Sequence, residues 1–128
     1  MRMSSIDQLL DPIDLPKVAP VRQHFDRPRL ADIEGEITRQ LVTGDYFSSL
    51  KTGWNVAITA GSRGISNMPL ILRTLVREIR KIGCEPFVFP AMGSHGGATA
   101  QGQAELLQGM GIDEKSVEAP IRSSMETV

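Results

Sequence analysis

Cysteine occurs once in this sequence, at Cys84, which excludes an internal disulfide and any metal site built from cysteine alone. Aromatic residues are also scarce, at 5% of the chain, and no cluster of Lys and Arg is interleaved with them. A basic, base-stacking nucleic-acid surface is therefore not expected. Neither sign of charge dominates: 14 Lys and Arg stand against 15 Asp and Glu, for a net charge of -1. That balance gives no reason to expect an anionic membrane as partner. No apolar run approaches the roughly 20 residues of a membrane-spanning helix. Met1 to Pro12 carries Asp7 and Asp11 where a secretory signal needs its apolar stretch. A cytoplasmic protein is expected. Its 128 residues suffice for one hydrophobic core, near the low end for a sheet covered on both faces.

What is present divides into an N-terminal arm, residues 1–28, and an α/β region, residues 29–128. The arm is rich in Pro and Asp. Val18, Val21 and Phe25 hint at an early strand over Leu15–Phe25, which Pro16 and Pro20 demote to an edge or an extended arm. Leu30, Ile33, Ile37 and Leu41 then recur every three or four residues, predicting a helix with acid in its first half and a stop at Gly44. Tyr46, Phe47 and Leu50 read as a short apolar turn.

Trp54 to Ala60 reads as a buried strand that runs into Gly61-Ser62-Arg63-Gly64. Asn67 and Pro69 suit an N-cap and first turn. The helix they open would bury Met68, Ile71, Leu72, Leu75, Val76, Ile79 and Ile82, with Arg73, Arg77, Glu78, Arg80 and Lys81 on its surface, and Gly83 as stop. The pattern repeats. Pro86 to Ala91 is a second strand, followed by Gly93-Ser94-His95-Gly96-Gly97 and a helix capped by Thr99, with Ala104, Leu107 and Met110 inward and Gly111 at its end. Ile112 to Val117 supplies a last turn, and Arg122 to Val128 would begin a third strand. Strand, loop, helix, strand, loop, helix, strand is the βαβαβ order of a parallel sheet. The expected fold is a Rossmann-like three-layer α/β unit, and an incomplete domain, since the third strand would still be running at Val128.

Ligands of open α/β sheets bind beyond the carboxyl ends of the strands, where both glycine-flanked loops fall. On adjacent strands about 4.8 Å apart, Arg63 and His95 can converge on one small molecule. Arg63 is a planar donor suited to carboxylate or phosphate, and His95 adds an imidazole able to give or take a proton. Ser62, Gly64, Ser94, Gly96 and Gly97 would line the same site with hydroxyls, main-chain amides and room for close approach. The pattern thus describes an anion anchor beside a proton-handling group. It carries neither G-x-G-x-x-G nor G-x-x-x-x-G-K-[ST], so nucleotide binding lacks its fingerprint. Taken singly, a loop Arg or a loop His is more often solvated than functional; their equivalent placement in consecutive units is what raises them.

Other residues carry less. His24 is expected to be a partly buried structural histidine, Cys84 a packed and inert thiol, and Met92 and Met110 core. Ser62 and Ser94 show no triad, and G-x-S-x-G is absent. The two histidines, with no acidic partner at ligand spacing, make no metal site. Arg122, Ser123 and Ser124 suit either an anion contact or an exposed strand edge.

The segments V-A-I-T-A-G-S-R-G-I, E-P-F-V-F-P-A-M-G-S-H-G-G-A-T-A-Q-G-Q and A-P-I-R-S-S-M-E together resemble the N-terminal domain of the nickel-dependent lactate racemase-like family. The resemblance spans about residues 53–128, and its second segment is the most specific. It implies a Rossmann-like domain forming one side of a cleft, and an isomerase that racemises or epimerises a small 2-hydroxy acid through a nickel pincer nucleotide. By the same resemblance, His95 would be a proton-handling catalytic base and Arg63 would hold the substrate carboxylate. Gly-Ser-Arg-Gly and Ser-His-Gly-Gly depart from the racemase's own loops, which points to a distinct branch of the family. The family's second catalytic histidine, its cofactor-bearing lysine and its nickel-binding histidine have no counterpart here, so this chain alone is expected to be inactive. The reading drawn from the residues without the resemblance, a non-catalytic domain that binds a small carboxylate or phosphate, stays open. Apolar surface at an unfinished sheet edge also points to self-association.

Overall fold

The computed structural model describes Asp14 and residues 17–126. Leu15, at the start of the expected early strand, and Thr127 and Val128, at the end of the expected third, lie outside them. The described part of the arm forms no helix or strand. Val18, Val21 and Phe25 are largely exposed there, and so is His24, which corrects the expectation that this histidine is partly buried.

Helix α1 spans Ile33–Thr43. It starts where Asp32 accepts a hydrogen bond from the Gly35 amide, leaving Leu30 outside the helix and exposed. Gly44 ends it. Phe47 and Leu50 then fold back onto the core. Strand β1, Asn55–Ala60, feeds helix α2, Met68–Lys81, which returns to strand β2, Glu85–Pro90. The two strands pair in parallel, Asn55 opposite Glu85 through Ala60 opposite Pro90. A one-turn 3-10 segment, His95–Ala98, leads into α3, Ala100–Gly109, and a final turn, α4, covers Glu114–Val117. The result is a Rossmann-like α/β unit built on a parallel sheet.

The third strand expected over Arg122–Val128 is not formed by its described residues, 122–126; among the described residues that side of β2 carries a single bridge one position earlier, Ile121 beside Val88. The Val88 amide donates to the Pro120 carbonyl at 2.9 Å, and the Arg122 amide to the Val88 carbonyl at 2.8 Å. The limit is set by proline. Glu85 and Ala91 donate toward β1, so the alternate residues Pro86, Val88 and Pro90 face the third segment. Two of those three have no N–H to give, and Val88 alone can donate to the ladder on that side.

Burial alternates along β1, with Ile58 and Ala60 buried and Asn55, Ala57 and Thr59 exposed. The sequence reading of a buried strand is corrected accordingly: one face of the sheet is covered and the other is open. Ile58, Val88, Leu72, Val76, Ile79, Leu107, Ile112 and Val117 share one core between the covered face and the helices. Removing a side chain such as Leu107 from water contributes roughly 1.5–3 kcal/mol. Cys84 is buried, its thiol against the Lys51 carbonyl, and Met92 is core as expected. Ala57, Phe87 and Phe89 lie on the open face, where the Arg122 guanidinium sits 4.1 Å from the Phe87 ring centre.

Two details of α2 differ from the sequence reading. Asn67 occupies the N-cap position but with φ of 62°, and its side chain makes no capping bond. Glu78 is buried instead of lying on the surface. Helix α1 covers it, and Thr38 and Lys81 both donate to its Oε1, at 3.2 and 2.7 Å. Lys81 above all, helped by Thr38 and Arg77, holds the Glu78 carboxyl below its ordinary value against the opposing effect of burial. An exposed Glu34–Arg77 pair at 3.1 Å adds a second tie between the two helices.

Candidate functional site

The carboxyl ends of β1 and β2 lie side by side, and the ladder continues one step past the strands through the Ala91 amide to the Ala60 carbonyl at 2.8 Å. The two glycine-flanked loops therefore start from adjacent points on one sheet edge. They touch: His95 Nδ1 is hydrogen-bonded to Ser62 Oγ. The side chains joined across the loops are thus Ser62 and His95. Arg63, the residue expected to converge with His95, is exposed and makes no ion pair among the described residues. Ser94 and Gly97 are exposed, and Gly96 is half-buried.

The second loop is held firmly from below. Gln103, buried on the inner face of α3, donates through Nε2 to the Gly93 carbonyl at 2.7 Å and the His95 carbonyl at 3.4 Å. Thr99 acts twice: it caps α3 through the Gly102 amide, and its hydroxyl donates to the Gly96 carbonyl at 2.9 Å. Gly96 has φ of 65° and lies against the α3 main chain, where an added Cβ would come within 2.5 Å of the Gly102 carbonyl carbon. Only glycine fits both demands. Gln103 was not singled out by sequence. Its signal was a polar residue on the inward stripe of a helix, one position before Ala104 and four before Leu107.

The first loop is more open. An added Cβ at Gly61 or Gly64 would meet nothing within 4 Å, and neither glycine has a positive φ. These glycines leave space beside the main chain; no contact within the chain demands them. Among the described residues, no acceptor takes the amides of Gly61, Ser62, Arg63 or Gly64, nor those of Gly93 and Ser94. These donors are available to an anion.

The α2 N-terminus contributes less than expected to this edge. Ile65, Ser66 and Asn67 separate it from Gly64, and Pro69 removes one donor from its first turn. Ser66 and Asn67 instead line a cavity of about 550 Å³ with Arg29, Leu30, Ile33 and Ile71. A second hollow of about 300 Å³ lies on the open sheet face against Phe87, Phe89 and Arg122. Arg63 and His95 line neither of these, so the loop site is a surface edge.

Nickel does not fit these residues. Among the described residues no three His, Cys, Asp or Glu side chains gather to hold a metal, and one nitrogen of His95 is already bonded to Ser62. What this edge presents is the exposed Arg63 guanidinium, loop amides that no described residue accepts from, and the imidazole of His95. Comparison with protein families, curated proteins and solved structures finds no match.

Proposed function

We propose that the edge formed by Gly61–Gly64 and Gly93–Gly97 binds a small 2-hydroxy acid, as one side of the active site of a racemase-like isomerase. The contact between Ser62 and His95 carries this reading, because it brings a proton-handling ring to the loop that bears Arg63. In this reading Arg63 and the unengaged loop amides take the carboxylate. Ser62, Gly64, Ser94, Gly96 and Gly97 shape the surround, and His95 meets the ligand hydroxyl. The nickel pincer nucleotide rests on the family resemblance alone and has no ligands among these residues.

Calorimetry of the chain with lactate and inorganic phosphate tests the reading. Saturable lactate binding is expected, weakened in Arg63→Ala by about 2 kcal/mol, or roughly 30-fold in Kd, for a charge-assisted hydrogen bond. Undiminished affinity in Arg63→Ala would sink it. A second reading, a binding domain without catalysis, is favoured by the open character of the edge, which lines neither of the two hollows among the described residues. It predicts phosphate binding as tight as lactate binding and indifference to His95→Ala.

A cytoplasmic setting belongs to the same proposal. No helix among the described residues is long and apolar enough to cross a membrane. Self-association at the sheet edge is likewise proposed, supported by the half-exposed Phe87 and Phe89 on the adjoining open face.

A further inference from the structure

The main chain around His95 has little freedom. Its amide donates to the Met92 carbonyl at 3.2 Å, Gln103 reaches the carbonyls of Gly93 and His95, and Gly96 is packed against α3. What remains is rotation of the imidazole about its own side-chain bonds. Ser62, half-buried at the base of the opposite loop, ends that freedom by bonding Nδ1. With Nδ1 occupied, the ring has one nitrogen left to meet anything outside the chain, and His95 is exposed to do so.

A serine hydroxyl can either donate or accept. A neutral imidazole fits both arrangements, whereas an imidazolium has N–H groups at both nitrogens and only an acceptor suits it. The accepting arrangement therefore survives a change in ring charge without rearrangement. It also makes the neutral ring carry its proton on Nδ1, with the Nε2 lone pair facing outward. No other described residue bonds Ser62 Oγ, so its own hydrogen is not committed elsewhere.

We infer that Ser62 is a positioning residue for His95: its Oγ accepts a hydrogen bond from the Nδ1–H, leaving Nε2 as the atom that accepts a hydrogen bond from a ligand hydroxyl. The inference rests on the reading of this edge as a proton-handling site and names which ring atom does the handling. No bond is made or broken; the serine selects a tautomer and an orientation, as the outer partner of a working histidine does elsewhere.

The test needs no ligand, so its failure is distinguishable from failure of lactate to bind. Nitrogen-15 NMR of the labelled chain, above the pH at which the rings titrate, reports which ring nitrogen carries hydrogen. His24, exposed on the arm and without a hydrogen bond to any described residue, is the reference within the same sample. His95 is expected to show a protonated Nδ1 and an unprotonated Nε2, unlike His24, and Ser62→Thr should preserve this. Ser62→Ala should move His95 to the pattern of His24. The inference is overturned if His95 already matches His24 in the wild type, or if its tautomer is the same in Ser62→Ala. Should the alanine variant fold poorly, the wild type and Ser62→Thr still decide the question.

Discussion

Replacing Gly96 by alanine asks whether the His95 loop is held as tightly as its contacts imply. The residue has φ of 65°, and an added Cβ would come within 2.5 Å of the Gly102 carbonyl carbon and 2.6 Å of the Gln103 amide nitrogen. Its neighbour Gly97 provides a control, with φ of 67° and nothing within 4 Å of an added Cβ. Gly97→Ala should therefore cost only the strain of a left-handed alanine, about 1 kcal/mol. Gly96→Ala adds an overlap with main chain that no side-chain rotation relieves, for a total of about 3 kcal/mol. For a chain of this size, about 4 °C of Tm per kcal/mol gives losses of roughly 4 and 12 °C. Thermal unfolding followed by circular dichroism reads both, and amide shifts of Ser62 and His95 report whether the loops part. Equal losses in the two variants would refute the claim that the loop is wedged against α3.

Further outcomes follow from the packing and the charges. Leu107 is fully buried, and Leu107→Ala should cost about 3 kcal/mol in urea unfolding. Thr99→Ala removes the cap of α3 and the bond to Gly96, and should cost about 1 kcal/mol or somewhat more in the same assay. Glu78 titrates below its ordinary value of 4.5, chiefly through its bond to Lys81. Its folded state therefore binds a proton less readily than its unfolded state. The stability it contributes is fully present above about pH 4.5 and is lost as pH falls through the lowered folded value. Denaturation at a series of acidic pH values should show a shallower acid decline in Glu78→Gln than in the wild type.

The βαβ repeat was legible in the sequence because each of its units is punctuated. Strand residues end at a glycine-flanked loop, the α2 and α3 stripes recur at helical spacing, and Gly83 and Gly111 adopt positive φ just past the helix ends. Thr99 was recognisable as a cap for the same local reason. Pairing and burial were less legible, since they depend on neighbours. Pro86 and Pro90 look like ordinary members of an apolar strand until the register shows that their missing N–H groups fall on the third-strand side. Glu78 looks like surface until α1 covers it. At the site, the loops' shared position could be read from chain order alone. That Ser62 and not Arg63 hydrogen-bonds His95 depends on how each loop leaves its strand, and no spacing rule encodes it.

The central claim is that the two loops form one ligand-binding edge. Mapping amide chemical-shift changes during titration of the labelled chain with lactate tests it most directly. Saturable changes are expected at Gly61–Gly64 and Gly93–Gly97, lost in Arg63→Ala. Changes confined to the cavity around Leu30, Ser66 and Asn67, or to the open face at Ala57, Phe87 and Phe89, or no changes at all, would contradict it.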